Sequence, residues 1–146
     1  MQDLKAVNED VFVFGKGRLI VAGDDIAIIA TGETVYPALL AASKLKEAGI
    51  MATVISMHTI KPLDTALLES VANTCKALIT VEEHSVYGGL GEACAAHLMQ
   101  KRIFKPMKIM GMPDEPTVTG SQVEIFNHYG ISEEGIMQAA KLLLSH

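Results

Sequence analysis

Tryptophan is absent and aromatic residues supply only 5% of the 146-residue chain, so a core must be built from aliphatic side chains and alanine. Cysteine is scarce. Cys75 and Cys94 stand 94 − 75 = 19 residues apart without a Cys-x-x-Cys pair, which fits two reduced thiols in a cytoplasmic protein better than a disulfide scaffold. Positive charge is short: 12 Lys and Arg against 17 Asp and Glu leave a net −5. An acidic balance of this kind argues against a nucleic-acid backbone binder, which needs a concentrated basic surface. Long apolar runs are missing as well. A run such as Ile26 to Ala30, which no other exceeds, falls far short of the roughly 20 residues that span a bilayer. Met1-Gln2-Asp3-Leu4-Lys5 has neither the basic nor the apolar region of a signal peptide. The expectation is one soluble, cytoplasmic domain with no membrane or nucleic-acid partner.

What is present is regular alternation. Hydrophobic residues make up 49% of the chain, enough for a packed core. Residues 1–17 mix charge with a Val11-Phe12-Val13-Phe14 patch and end in Gly15-Lys16-Gly17; they read as a linker or arm, with the domain occupying residues 18–146. Arg18 to Val21 reads as a short strand. Asp25 to Thr31 is a β-branched apolar run of the kind buried on both faces. The spacing predicts a helix over 34–48 with Leu39, Ala42 and Leu45 inward and Gly49 closing it. A strand over 50–57, a helix from Asp64 to Thr74, a strand over 77–81, a helix from the Gly88–Gly91 cluster to about Arg102 and a strand over 107–110 follow. Ser132 caps a last helix, with Ile131 and Ile136 placed as a hydrophobic staple. Strands alternating with helices of this length give an α/β fold with a mostly parallel sheet.

The chemistry is thinner. Thr31-Gly32-Glu33-Thr34 follows the first long strand where a dinucleotide site wants G-x-G-x-x-G, and no P-loop ending follows Gly88-Gly89-Leu90-Gly91. Val81-Glu82-Glu83-His84 lies at the end of a buried strand, where open α/β sheets bind ligands. Glu82 or Glu83 is a candidate general base with His84 as partner. The competing and preferred reading is structural: these groups cap the sheet and hydrogen-bond the glycine turn. His58 and Lys61 lie beyond a neighbouring strand and would face the same crevice, although Pro62 and Asp64 explain that loop as a turn and a helix cap. His97 falls on a helical apolar stripe and reads as a satisfied core or interface residue. His128 adjoins a turn and His146 is terminal. No Ser or Cys is paired with a local base, and both cysteines read as small apolar residues. No metal-ligand spacing is present.

Several segments in order resemble the C-terminal domain of the transketolase family of thiamine-diphosphate enzymes. They are Gly23-Asp24-Asp25-Ile26-Ala27-Ile28-Ile29-Ala30-Thr31-Gly32, Thr59-Ile60-Lys61-Pro62-Leu63-Asp64, Val81-Glu82-Glu83-His84 with Gly88-Gly89-Leu90-Gly91, Met112-Pro113-Asp114 and Tyr129-Gly130-Ile131. The resemblance implies a three-layer α/β/α domain around a five-stranded mixed sheet with one antiparallel edge strand. It implies a place in a larger, homodimeric enzyme that moves a two-carbon ketol unit between sugar phosphates. Thiamine diphosphate and Mg²⁺ would then be held by other domains or a companion subunit, and this chain would bind no cofactor and supply no catalytic residue. Gly23-Asp24-Asp25 lacks the second Gly of the family's metal motif and reads as a turn. His58, Glu83, His84, Gly88, Gly89 and Gly91 are candidates for a channel rim or an interface. Deoxyxylulose-phosphate synthase and the β subunits of 2-oxo-acid dehydrogenases, which use a similar last domain, stay open as alternatives. So does a free-standing small-molecule binding module using the crevice near His58 and His84, which an anion or nucleotide beside Gly88–Gly91 would favour.

Overall fold

The computed structural model describes residues 16–58, 60, 62–85, 89–112 and 120–145, with only the backbone of His84 and Ser85. Residues 1–15 of the predicted 1–17 arm lie outside them, as do Thr59, Lys61, residues 86–88, residues 113–119 and His146. The chain runs β1 (Arg18–Val21), β2 (Ile26–Ala30), a 3₁₀ turn (Gly32–Thr34), α1 (Val35–Glu47), β3 (Ala52–Ser56), α2 (Thr65–Thr74), β4 (Ala77–Ser85), α3 (Leu90–Gln100), β5 (Met107–Met112), α4 (Gln122–His128) and α5 (Glu133–Leu144). The strands form one five-stranded sheet in the order β1-β3-β2-β4-β5. β2, β3, β4 and β5 are parallel and β1 pairs antiparallel with β3. The antiparallel edge strand that the resemblance implies is therefore Arg18–Val21.

β2 sits at the centre, and all five of its residues are buried. Side chains on a strand alternate between faces. Ile26, Ile28 and Ala30 join a core with Ala38, Ala41 and Leu45 of α1 and Ile136 and Ala140 of α5. Ala27 and Ile29 join a second core with Leu68 and Val71 of α2 and Leu90, Cys94 and Leu98 of α3. Each fully buried isoleucine contributes about 1.5–3 kcal/mol, so the strand's short length is no weakness. Ala38 and Ala41 lie on the buried side of α1 and Leu39 is half-buried, so the inward face is turned slightly from the predicted one. Small alanines let α1 approach β2 closely.

Local signals set the ends of the elements. Pro37 falls in the first turn of α1, where its missing N–H would have no intrahelical partner anyway. Gly49 takes φ +84° just after α1, a left-handed conformation cheap only for glycine. Ser132 accepts the Gly135 N–H at 3.1 Å at the start of α5, and Ile131 and Ile136 are both buried in the same core. Helix α4 is not among the elements that the sequence pattern predicts. Its signal is a capping box: Ser121 N donates to Glu124 Oε1 at 2.9 Å and Glu124 N donates to Ser121 Oγ at 3.2 Å. With only seven residues and none of them fully buried, α4 carries too short a stripe for periodicity to reveal.

Asp64 ties the end of the sheet together. It is buried, its Oδ1 accepts Leu67 N at 3.1 Å at the start of α2, and its Oδ2 accepts Gly17 N at 2.8 Å at the entry to β1. Asp64→Ala leaves both donors without that acceptor, and the expected loss is about 2 kcal/mol. Asp64→Asn keeps one acceptor and should lose less. Urea denaturation followed by far-UV circular dichroism reads both, and equal stability of all three proteins would refute this role.

Candidate functional site

The Glu82-Glu83-His84 segment sits where β4 slips against β5. Between Val81↔Met110 and Ser85↔Met112 the register advances 85 − 81 = 4 residues on β4 and 112 − 110 = 2 on β5. Such irregularities re-aim side chains at sheet ends. Glu82 is only 2% exposed. Its carboxylate accepts Leu90 N at 2.9 Å on Oε1 and Gly91 N at 3.0 Å on Oε2, a bidentate clasp on the first turn of α3. Negative charge there also complements the helix dipole. Gly91 has no room for a side chain, because a Cβ would press on Ile109 and on the Thr80 hydroxyl. The Cys94 thiol lies one turn further along α3, where burial and then the charge of Glu82 push its pKa up to about 12. It stays a neutral thiol at physiological pH.

Glu83 serves the opposite face. Its Oε1 accepts Glu33 N at 3.2 Å, and the carboxylate packs on Gly32, whose φ of +52° and close approach exclude a Cβ. The buried Thr34 hydroxyl lies 2.9 Å from Val81 O and 2.6 Å from Thr31 O, and it accepts Thr31 N at 3.0 Å. The two adjacent glutamates thus anchor α3 on one side of the sheet and the Gly32–Thr34 turn on the other. They do not share a face and cannot act as a paired acid and base. The reading that they cap the sheet and bond the glycine turn describes Glu82 directly.

The remaining candidates do not converge on that point. β2 lies between β3 and β4, so the residue after β3 and the end of β4 are two strands apart, about 10 Å at the usual strand spacing. His58 is exposed. Its pKa is held below 6.5, first by desolvation and then by the positive charge of Arg18. His84 is in β4, but its side chain lies outside the described residues, as do Lys61 and Gly88. Gly89 is the extended N-cap of α3. His97 does find a partner: its Nε2 is 2.6 Å from Glu69 Oε2, joining α3 to α2.

Neither motifs nor periodicity point to a cleft of about 730 Å³ between the start of α1, α4 and the start of α5. Tyr36, Leu40, Val123 and Phe126 supply much of its apolar lining, and Glu33, Glu133 and Glu134 its charge. It depends on α4, and so on the Ser121–Glu124 capping box.

Two consequences are measurable. Glu82→Gln cannot accept both α3 amides, because its NH₂ group faces one of them. It should cost about 2 kcal/mol in chemical denaturation, and an unchanged midpoint would refute the clasp. His58, followed by NMR titration, should protonate below pH 6.5, and Arg18→Gln should move that midpoint only part of the way back, because desolvation remains. The sign for stability follows: the folded state holds this proton less tightly than the unfolded chain, so folding loses stability as pH falls through 6.5 and is unaffected above it.

Comparison with known proteins matches this fold. Residues 15–136 match the family described as "Transketolase, C-terminal domain". A subunit of the apulose-4-phosphate transketolase of Phocaeicola vulgatus is 45% identical over 134 residues, covering 91% of this chain and 42% of that protein. 1-Deoxy-D-xylulose-5-phosphate synthase of Vibrio vulnificus is 40% identical over 131 residues, covering 90% of this chain and 20% of that protein. A solved structure described as "Split gene transketolase, inactive beta4 tetramer" superposes with a TM-score of 0.85 at 33% identity, over 92% of this chain and 44% of that one. The chain thus spans less than half the length of each of these relatives. With a five-stranded mixed sheet, an antiparallel first strand and a sequence match over most of its length, this chain belongs to the transketolase C-terminal domain family.

Proposed function

We propose that this chain is the C-terminal domain of a thiamine-diphosphate enzyme that transfers a two-carbon ketol unit between sugar phosphates. In this reading it assists homodimer assembly and borders the substrate channel, while other domains or a companion subunit hold the cofactor. The observation that carries the reading is the 45% identity to a transketolase subunit across nearly the whole chain. The chain's coverage of only 42% of that protein supports the need for companion parts.

The described residues do not fit the cofactor. The α3 N-terminus beside the glycine cluster is where a diphosphate would find free amides, and the Glu82 carboxylate already holds two of them. Among the described residues no group of three His, Cys, Asp or Glu is placed to hold a metal ion. No chemical step is therefore assigned to this chain. The same clasp, with β2 standing between His58 and the end of β4, weakens the alternative of a free-standing small-molecule module in a crevice near His58 and His84. His58, Glu83 and Gly89 stand at the end of the sheet where the strands finish, the position a channel rim would use, and the proposed cytoplasmic location accords with the unpaired cysteines. A second reading has a specific observation in its favour: the synthase of Vibrio vulnificus is nearly as similar, at 40% identity.

Calorimetry of the chain alone with thiamine diphosphate and Mg²⁺ should show no binding. The chain joined to polypeptide supplying the remaining domains should transfer a ketol unit between sugar phosphates. Formation of a deoxyxylulose phosphate instead would select the second reading. Cofactor binding or turnover by the chain alone would overturn both.

A further inference from the structure

Two surface patches differ in charge. At the end where β5 begins, Lys101, Arg102, Lys105 and Lys108 fall within eight residues, and no Asp or Glu occurs between Glu92 and Asp114. Within this basic stretch Phe104 is 64% exposed, and Met99 beside it on α3 is 63% exposed. Lys105 is occupied, donating to Cys75 O at 2.8 Å. Lys101, Arg102 and Lys108 are exposed and form no ion pair among the described residues.

At the other end, beyond the close of β2, lies the cleft of about 730 Å³ between α1, α4 and α5. Tyr36 and Val123 on its rim are each 68% exposed. Its charged lining is wholly acidic: Glu33, Glu133 and Glu134 with no Lys or Arg. Lys44 pairs with Glu133 at 3.3 Å, while Glu33 and Glu134 are exposed and form no ion pair among the described residues.

An exposed aromatic side chain within a basic stretch and an apolar cleft bordered by carboxylates are complementary in sign. One copy cannot join them. β2, β4 and β5 are parallel, so Phe104 precedes the strands and the cleft follows them, and the five residues of β2 alone separate these ends by about 17 Å. We propose that the cleft receives Phe104 of a second copy, with Lys101, Arg102 and Lys108 of that copy facing Glu33 and Glu134. The contact is head-to-tail, using different patches on the two partners. It is not the isologous contact of a two-fold dimer, and it stands or falls independently of the reaction catalysed.

Zero-length carbodiimide coupling of an isotope-labelled and unlabelled mixture of the purified protein, read by mass spectrometry, tests it. Amide links from Lys101 or Lys108 of one copy to Glu33 or Glu134 of the other are expected, with a yield that falls as salt is raised. Phe104→Glu alone and Val123→Arg alone should each abolish them, and both positions are exposed, so the fold is preserved. Mixing the two variants should restore links in one direction only: from the lysines of the Val123→Arg protein, whose aromatic knob is intact, to the glutamates of the Phe104→Glu protein, whose cleft is intact. No links in the parent protein, links that persist in either variant alone, or no one-way restoration would overturn the proposal. Loss of ketol transfer by the assembled enzyme would leave these readouts unchanged.

Discussion

Burial of β2 on both of its faces is the constraint on which this domain depends. A strand of five apolar residues with no exposed edge needs a sheet neighbour on each side and a helical layer above and below. α1 and α5 meet that need on one face, and α2 and α3 on the other. Every connection between the parallel strands then has to cross from one end of the sheet to the other, which collects the turns after β2, β3 and β4 at a single end. Asp64, Glu82 and Glu83 lie at that end.

At that end the chain uses carboxylates to tie layers together. Glu82, Glu83 and Asp64 each accept backbone N–H groups from a different element. A carboxylate in this role satisfies donors that a helix or tight turn otherwise leaves exposed, and in a buried setting each such bond is worth more than at the surface. This explains how a domain with few aromatic side chains stays well anchored. Glu82 and Glu83 are both engaged in this way. Two of the α3 amides beside the glycine cluster are held by the Glu82 carboxylate. A C-terminal domain that leaves cofactor chemistry to its companions is consistent with such an arrangement.

The charge of the chain is uneven in a way that the net −5 conceals. Cations gather around Phe104, before β5, and carboxylates gather around the cleft near α4. The separation is local to these two patches, because Asp24 and Asp25 also lie at the end of the sheet where β2 begins and Arg18 pairs with Ser56 at the end of β3.

The α/β architecture is written in local patterns, because period-two and helical spacing, together with Gly49, Asp64 and Ser132, encode elements and their ends without reference to the rest of the chain. The structural role of Glu82 is legible in the same way, since a carboxylate followed by a glycine turn and a helix start has an obvious partner in the helix amides. Strand order is not. That β2 lies between β3 and β4, separating His58 from the end of β4, depends on which strands pair across long loops, and such pairings leave no local trace. Helix α4 and its cleft are hidden for a related reason: seven residues without a buried stripe give periodicity nothing to read, and only packing against α1 and α5 turns them into one wall of a cleft.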